Sequence, residues 1–301
     1  MKRIIILITF LAALLTNAIP QESGIINKVE KSEISKINNV DSESIARIGN
    51  VESPGNCVSC KQILENNPGS PDGFYTIDPD GSGPLEEFEC YCDMNTDGGG
   101  WTLVTIHSDD GQATWTYNNR ALFYNNATVG NTDDLSQDYK GRGMVELNFT
   151  DILFIHAPSA IWAVYNNVGN GTTTLGYLIN NSPHPYCNNE PGYSMSSGTL
   201  STTGTSLCST DLYFNVGDYD GQSFSYCINL GQQFNDATYG PAWSADQNSG
   251  CPFDDPGVFS SMGPDVRFPD TEQSPVGFGK AAGLNTGTAG SGENHIKVFI
   301  R

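Results

Sequence analysis

The chemistry this sequence could perform rests mainly on acidic groups and sulfur. His107-Ser108-Asp109-Asp110-Gly111 places two carboxylates where a strand runs into a loop, with Gly111 leaving the backbone accessible. A hard ion such as Ca²⁺ takes six to eight oxygens, mostly carboxylate and carbonyl, and a turn of this kind supplies them. A lone His among carboxylates also suits zinc, although Ca²⁺ fits this setting better. The plain alternative is an Asp-rich solvated turn. A second acidic group comes later, with Asp254 and Asp255 after Cys251, and Asp270 and Glu272 after Phe268.

The sulfur reading has three branches. Cys57-Val-Ser-Cys60 and Cys90-Tyr-Cys92 have spacings open to a zinc site, a redox pair or two neighbouring disulfides. The remaining cysteines are Cys187, Cys208, Cys227 and Cys251, which complete an even set of eight. Neighbour pairing would join Cys187 to Cys208 and Cys227 to Cys251.

The amino terminus weighs on that choice. Met1-Lys2-Arg3, an apolar run from Ile4 to Leu15 and the small residues before Ala18 have the form of a signal peptide. The run is shorter than the roughly 20 residues of a membrane span. Export into an oxidising compartment favours disulfides over zinc or redox thiols. Four sequons agree with export, at Asn126, Asn148, Asn170 and Asn180.

Composition excludes further classes. There are 14 Lys+Arg against 34 Asp+Glu, a net charge of −20, the opposite of a nucleic-acid binder. Loss of Lys2 and Arg3 with the leader leaves 12 basic residues and a net −22. With 38% hydrophobic and 10% aromatic residues, the chain can build a core. No Gly-x-Ser-x-Gly, His-Glu-x-x-His or P-loop pattern occurs, and His107, His156, His184 and His295 form no catalytic set. The expectation is a protein that is not an enzyme.

The elements that must position these groups are short. Residues 1–18 read as leader and 19–54 as linker or stalk. The stripe Ile34, Ile37, Val40, Ile45, Ile48, Val51 suits either a disordered linker or a short oligomerising helix. Residues 55–301 read as one domain. Alternation predicts strands over Trp101–Ile106, Ile161–Tyr165 and Ile296–Ile300, and Cys60-Lys-Gln-Ile-Leu-Glu predicts a short helix. Residues 180–260 read as a long loop-rich segment. Thr96-Asp97-Gly98-Gly99-Gly100 predicts a tight turn at positive φ before Trp101 re-enters the core.

The stretch from Asp72-Gly-Phe-Tyr-Thr-Ile through Cys90-Tyr-Cys92-Asp-Met to Gly98-Gly-Gly-Trp101 resembles the start of fibrinogen carboxy-terminal domains. That likeness implies an α+β fold with a twisted antiparallel sheet, few short helices and long loops tied by disulfides and calcium. It also implies a Cys60–Cys92 bridge, with Cys57–Cys90 inferred as an extra.

Within that group the chain is similar to intelectins, secreted calcium-dependent lectins. The likeness rests on His107–Asp110, on Asp138-Tyr139-Lys140 with the following segment to Pro158, and on the terminal strand to Arg301. It implies structural Ca²⁺ held by His107, Ser108, Asp110, groups near Asn118 and Asn119, and Asp138. Ser108 and Asn119 stand where that family has acids, which lowers the site's charge. It also implies a second Ca²⁺ that grips a glycan diol through Asp254, Asp255 and Asp270, with Glu272 beside them. The paired His and downstream Trp and Tyr of that family's sugar site are absent. The expected partners are therefore glycans, microbial or self, or else extracellular proteins, with homo-oligomers allowed and no nucleic acid or membrane span.

Overall fold

The computed structural model describes residues 57–301 apart from 109, 111, 113, 116, 158, 182–191, 204–206, 217–238, 246–258 and 262–294. The chain divides into Met1–Ile48 and Gly49–Arg301, and every described residue lies in the second unit.

Helix α1 spans Cys60–Asn66. The Ser59 hydroxyl accepts from Gln62 N at 3.2 Å, and the Gln62 side chain accepts from Val58 N at 2.8 Å. Two amides at the helix start thus find partners in one local exchange. Strands β1 (Gly73–Ile77) and β2 (Phe88–Asp93) form an antiparallel hairpin, with Tyr75 opposite Cys90 and Ile77 opposite Phe88. Tyr75, Ile77, Cys90 and Cys92 are buried, and Thr76 and Glu89 between them are exposed, so the hairpin has one core face and one solvent face.

A 3₁₀ turn at Thr96–Gly98 leads to β3 (Trp101–Ser108). Asp97, Gly98, Gly99 and Gly100 have φ of 47°, 85°, 73° and 77°. Three of the four are glycine because this backbone region penalises a Cβ. A Cβ on Gly100 would also lie 2.9 Å from Lys61 Cα, so the turn fits directly beneath α1.

The remaining elements are β4 (Tyr139–Lys140), α2 (Gly143–Glu146), β5 (Ile152–His156), β6 (Ile161–Tyr165), α3 (Leu175–Asn181), β7 (Ser197–Gly198), β8 (Leu207–Val216), β9 (Tyr239–Ala245), β10 (Phe259–Ser261) and β11 (His295–Ile300). Among the described residues, eight strands form one sheet in the order β1-β2-β3-β11-β5-β6-β7, with β4 pairing β3. Each pairing is antiparallel. β11, last in sequence, pairs with both β3 and β5 near the middle of the sheet.

All eight residues of β3 are buried. Trp101, Leu103 and Ile106 join Leu153, Val164 and Phe299 in one apolar layer. Val104 joins the larger layer that holds Ile63, Met144, Phe154 and Trp243. The architecture is α+β, an antiparallel sheet with few short helices, as expected.

The three predicted strands and the Cys60 helix are present, each within two residues of the expected bounds. The loop expected over 180–260 was too broad, because β8, β9 and β10 make a second, three-stranded sheet there. β8 pairs with β9 through a register shift between Leu207 and Leu212, and β9 carries Gly240 and Pro241. Both features break the alternation that signals a strand.

The Cys60–Cys92 disulfide is formed, with Cα atoms 5.6 Å apart, and ties α1 to β2. The extra bridge expected between Cys57 and Cys90 is not formed. The Cys90 sulfur lies 3.8 Å from Cys60 Sγ and donates to Tyr75 O, while Cys57 Sγ accepts from Asn66 Nδ2. Burial raises the Cys90 thiol above its ordinary pKa, so it stays protonated. Cys60, Cys90 and Cys92 gather within 4.8 Å, but the disulfide removes two of the three thiolates that zinc would need. Cys187, Cys227 and Cys251 lie outside the described residues, and for Cys208 only its place in β8 is described.

Candidate metal centre

The site grows from the end of β3. Thr105 pairs with Lys140 and Ile106 with Tyr139 on β4, which brings Asp138 alongside His107. Asp138 Oδ1 accepts from Ser108 N at 2.8 Å. Asp138 N donates to Asp110 Oδ2 at 3.1 Å, so the Asp110 carboxylate lies against the Asp138 backbone. The Ser108 hydroxyl donates to Ser136 O at 2.6 Å, and Asp134 in turn accepts from Ser136 N and Oγ. The 134–138 segment is therefore pinned against β3.

Asp138 is only 5% exposed, and its Oδ2 is sealed from solvent with no hydrogen-bond donor. A buried carboxylate oxygen without a partner is costly unless a proton or a cation meets it. Burial raises the Asp138 pKa from 3.8 to about 7, with the Ser108 amide and the nearby Thr114 and Trp115 side chains opposing and the Asp110 charge adding. An orphaned oxygen, a second carboxylate and a rigid strand end make a donor set suited to a hard cation. Asp138 and Asp110 would hold Ca²⁺, with Ser108 beside them.

The imidazole of His107 has a different setting. It is buried and stacks on Trp115 at 4.1 Å and 17°, with the Phe123 ring at 5.6 Å. Trp115 is held by its Nε1 donating to Ile106 O at 3.0 Å. This stack closes the apolar side of the site. Asn119 lies exposed on the 3₁₀ helix Tyr117–Phe123, whose last residue belongs to the stack. Asp109 lies outside the described residues, as do Asp254, Asp255, Asp270 and Glu272.

Residues 57–133 match the family of fibrinogen beta and gamma chains, C-terminal globular domain. The match takes in the Cys60–Cys92 bridge, the glycine turn, β3 and the His107–Asp110 turn, and stops before Asp138. Among solved structures, the chain is similar to the fibrinogen-like globe domain of human ANGPTL6, at TM-score 0.36 and 10% identity, covering 84% of this chain and 98% of that one. It is also similar to the fibrinogen-like globe domain of human ANGPTL2, at TM-score 0.32 and 15% identity, covering 81% and 98%.

Other sites fall into place around the fibrinogen-like segment. Asn126, Asn148, Asn170 and Asn180 are all exposed. Asn170 Oδ1 accepts from the amide and the hydroxyl of Thr172, the third residue of its own sequon. Trp243 is fully buried, donates to Tyr165 Oη at 2.9 Å and meets the Phe154 ring edge-on, so it is a core residue. No helix among the described residues is long and apolar enough to cross a membrane.

Two cations escaped the sequence reading. Lys140 is wholly buried, and its ammonium donates to the carbonyls of Asn125 and Ala127 on either side of sequon residue Asn126. Arg301 lies 4.0 Å over the Trp101 ring, donates to Asp97 O and Gly99 O, and pairs with Asp97 and Asp151. Neither role shows in the local sequence, since the partners lie 13 or more positions away.

Proposed function

We propose that this chain is a secreted recognition protein without catalytic activity. In this reading Ca²⁺ stabilises it at Asp110 and Asp138, and it binds glycan diols through a second Ca²⁺ near Asp254, Asp255 and Asp270. The observation that carries the calcium reading is the sealed, donorless Oδ2 of Asp138 beside Asp110. The resemblance to intelectins and the acidic pair of Phe268-Pro-Asp270 and Cys251-Pro-Phe-Asp254-Asp255 support the glycan reading. Exposure of all four sequons agrees with passage through the secretory route.

The test is a glycan array with purified, folded protein. Binding abolished by EDTA and by Asp270→Ala supports the lectin. Calcium-independent binding, or none from a folded sample, rejects it.

The absence of the intelectin-type His pair and aromatics favours a second reading, an extracellular module that binds protein. Capture of a partner from extracellular fluid without competition by free sugars would favour that reading.

A further inference from the structure

Four buried cysteines belong to one core cluster. The Sγ atoms of Cys60, Cys90 and Cys92 lie within 4.8 Å of one another, and all three residues are fully buried. Cys60 is the first residue of α1, and Cys90 and Cys92 are alternate residues of β2, so two elements bring three sulfurs to one point. Cys57 is 2% exposed and precedes Cys60 at the Cys-x-x-Cys spacing common in structural zinc sites.

The distance between sulfurs suits a metal. Thiolates bound to one zinc at about 2.3 Å in a tetrahedron stand about 3.8 Å apart. Cys90 Sγ lies 3.8 Å from Cys60 Sγ. The bridge joins only Cys60 and Cys92, so it gives no reason for a third sulfur at that distance. Burial holds the proton on the Cys90 thiol, and a coordinated cation removes it outright. Cys57 Sγ accepts from Asn66 Nδ2 at 3.5 Å, an outer contact of the kind that orients a metal ligand.

We propose that the thiol form of this cluster is a zinc site, held by Cys60, Cys90 and Cys92 with Cys57 as the fourth ligand. Before the bridge forms, all four side chains are thiols. Binding then makes four Zn–S bonds and releases four protons to solvent, with no electron transferred. Once Cys60 and Cys92 are joined, two of the thiolates are gone. The same sulfurs therefore hold either the ion or the bridge, and each ties α1 to β2. Zinc affinity follows the redox state of the chain.

The experiment is thermal unfolding of the full chain with Zn²⁺ as the probe, in the oxidised form and after treatment with a phosphine reductant. Zinc should raise Tm of the reduced protein, and a chelator should reverse the rise. An equal rise in the oxidised protein would place the ion elsewhere, at the Asp138 centre for example, and overturns the proposal. Cys90→Ser keeps the bridge, so melting of its oxidised form checks that it folds. In its reduced form zinc affinity should fall roughly a hundredfold, because the binding free energy of a structural zinc is shared among four ligands. Cd²⁺ gives a second readout through its thiolate charge-transfer absorption, which should appear on reduction and weaken in Cys90→Ser. Absence of a zinc effect on the reduced native protein, or equal zinc affinity and Cd²⁺ absorption in Cys90→Ser, overturns the proposal.

Discussion

Replacing Asp138 with Asn gives the sharpest test of the metal centre. In the cation-free domain the Asp138 pKa is raised from 3.8 to about 7, with burial as the main cause. One factor of ten in protonation is about 1.36 kcal/mol, so the ionised form is penalised by about 4 kcal/mol on folding. This is an upper figure, because local opening and water entry reduce it. The folded state keeps a proton that the unfolded chain releases between pH 4 and pH 7. Without calcium, this group's contribution therefore falls as pH rises through that window and levels off above it.

If Asp138 holds calcium as proposed, Ca²⁺ should reverse the slope, because it would bind the ionised carboxylate that the proton otherwise occupies. Asn keeps the acceptor for Ser108 N while removing the charge. In EDTA at pH 8, Asp138→Asn should be more stable than the native protein by up to about 4 kcal/mol, with the gap closing toward pH 4. For a domain this large, 1 kcal/mol moves Tm by about 2–4 °C. Calcorimetric melts at pH 5 and pH 8, with EDTA or saturating Ca²⁺, read all four corners. Calcium should raise Tm of the native protein mostly at pH 8, with a smaller rise in the variant. A pH-independent gap between the two proteins would refute the argument, as would an undiminished calcium response at pH 8 in Asp138→Asn.

Other expectations follow from named contacts. Cys92→Ser opens a 32-residue separation and should cost about 3–4 kcal/mol by chain entropy, read as a lower urea midpoint; an unchanged midpoint would show that the bridge adds nothing. Arg301→Met keeps the stem over Trp101 but removes the donors to Asp97 O and Gly99 O, and should cost about 2–3 kcal/mol in the same assay. Lys140→Met leaves the Asn125 and Ala127 carbonyls without their buried donor, so limited proteolysis should cut near 125–127 sooner than in the native protein. Equal cleavage rates would remove Lys140 as the anchor of that loop.

Local order was readable in the sequence where neighbours alone decide it. Cys60-Lys-Gln-Ile-Leu-Glu reads as a short helix on its own, and the glycines at 98–100 accept positive φ wherever the turn sits. The alternation in Trp101–Ile106 and Ile161–Tyr165 also shows without partners, because the period of a strand is a property of its own backbone. The Cys60–Cys92 pairing came from resemblance, since spacing alone left three chemistries open. The second sheet did not show, because a register shift in β8 and Gly240-Pro241 in β9 hide the period, and only pairing between the two strands makes them strands.

The same division runs through the site. Sequence by itself determined that Asp109 and Asp110 share a turn after a strand and that the acid excess suits cations rather than phosphates, while Asp138 entered only by resemblance. Only the tertiary structure decided which of those oxygens lacks a partner. Pairing of β3 with β4 puts Asp138 beside Ser108 and under Asp110, and the Trp115 stack takes up the His107 ring. The cost of a buried charge depends on what surrounds it, and residues some 30 positions apart come together only when the sheet closes.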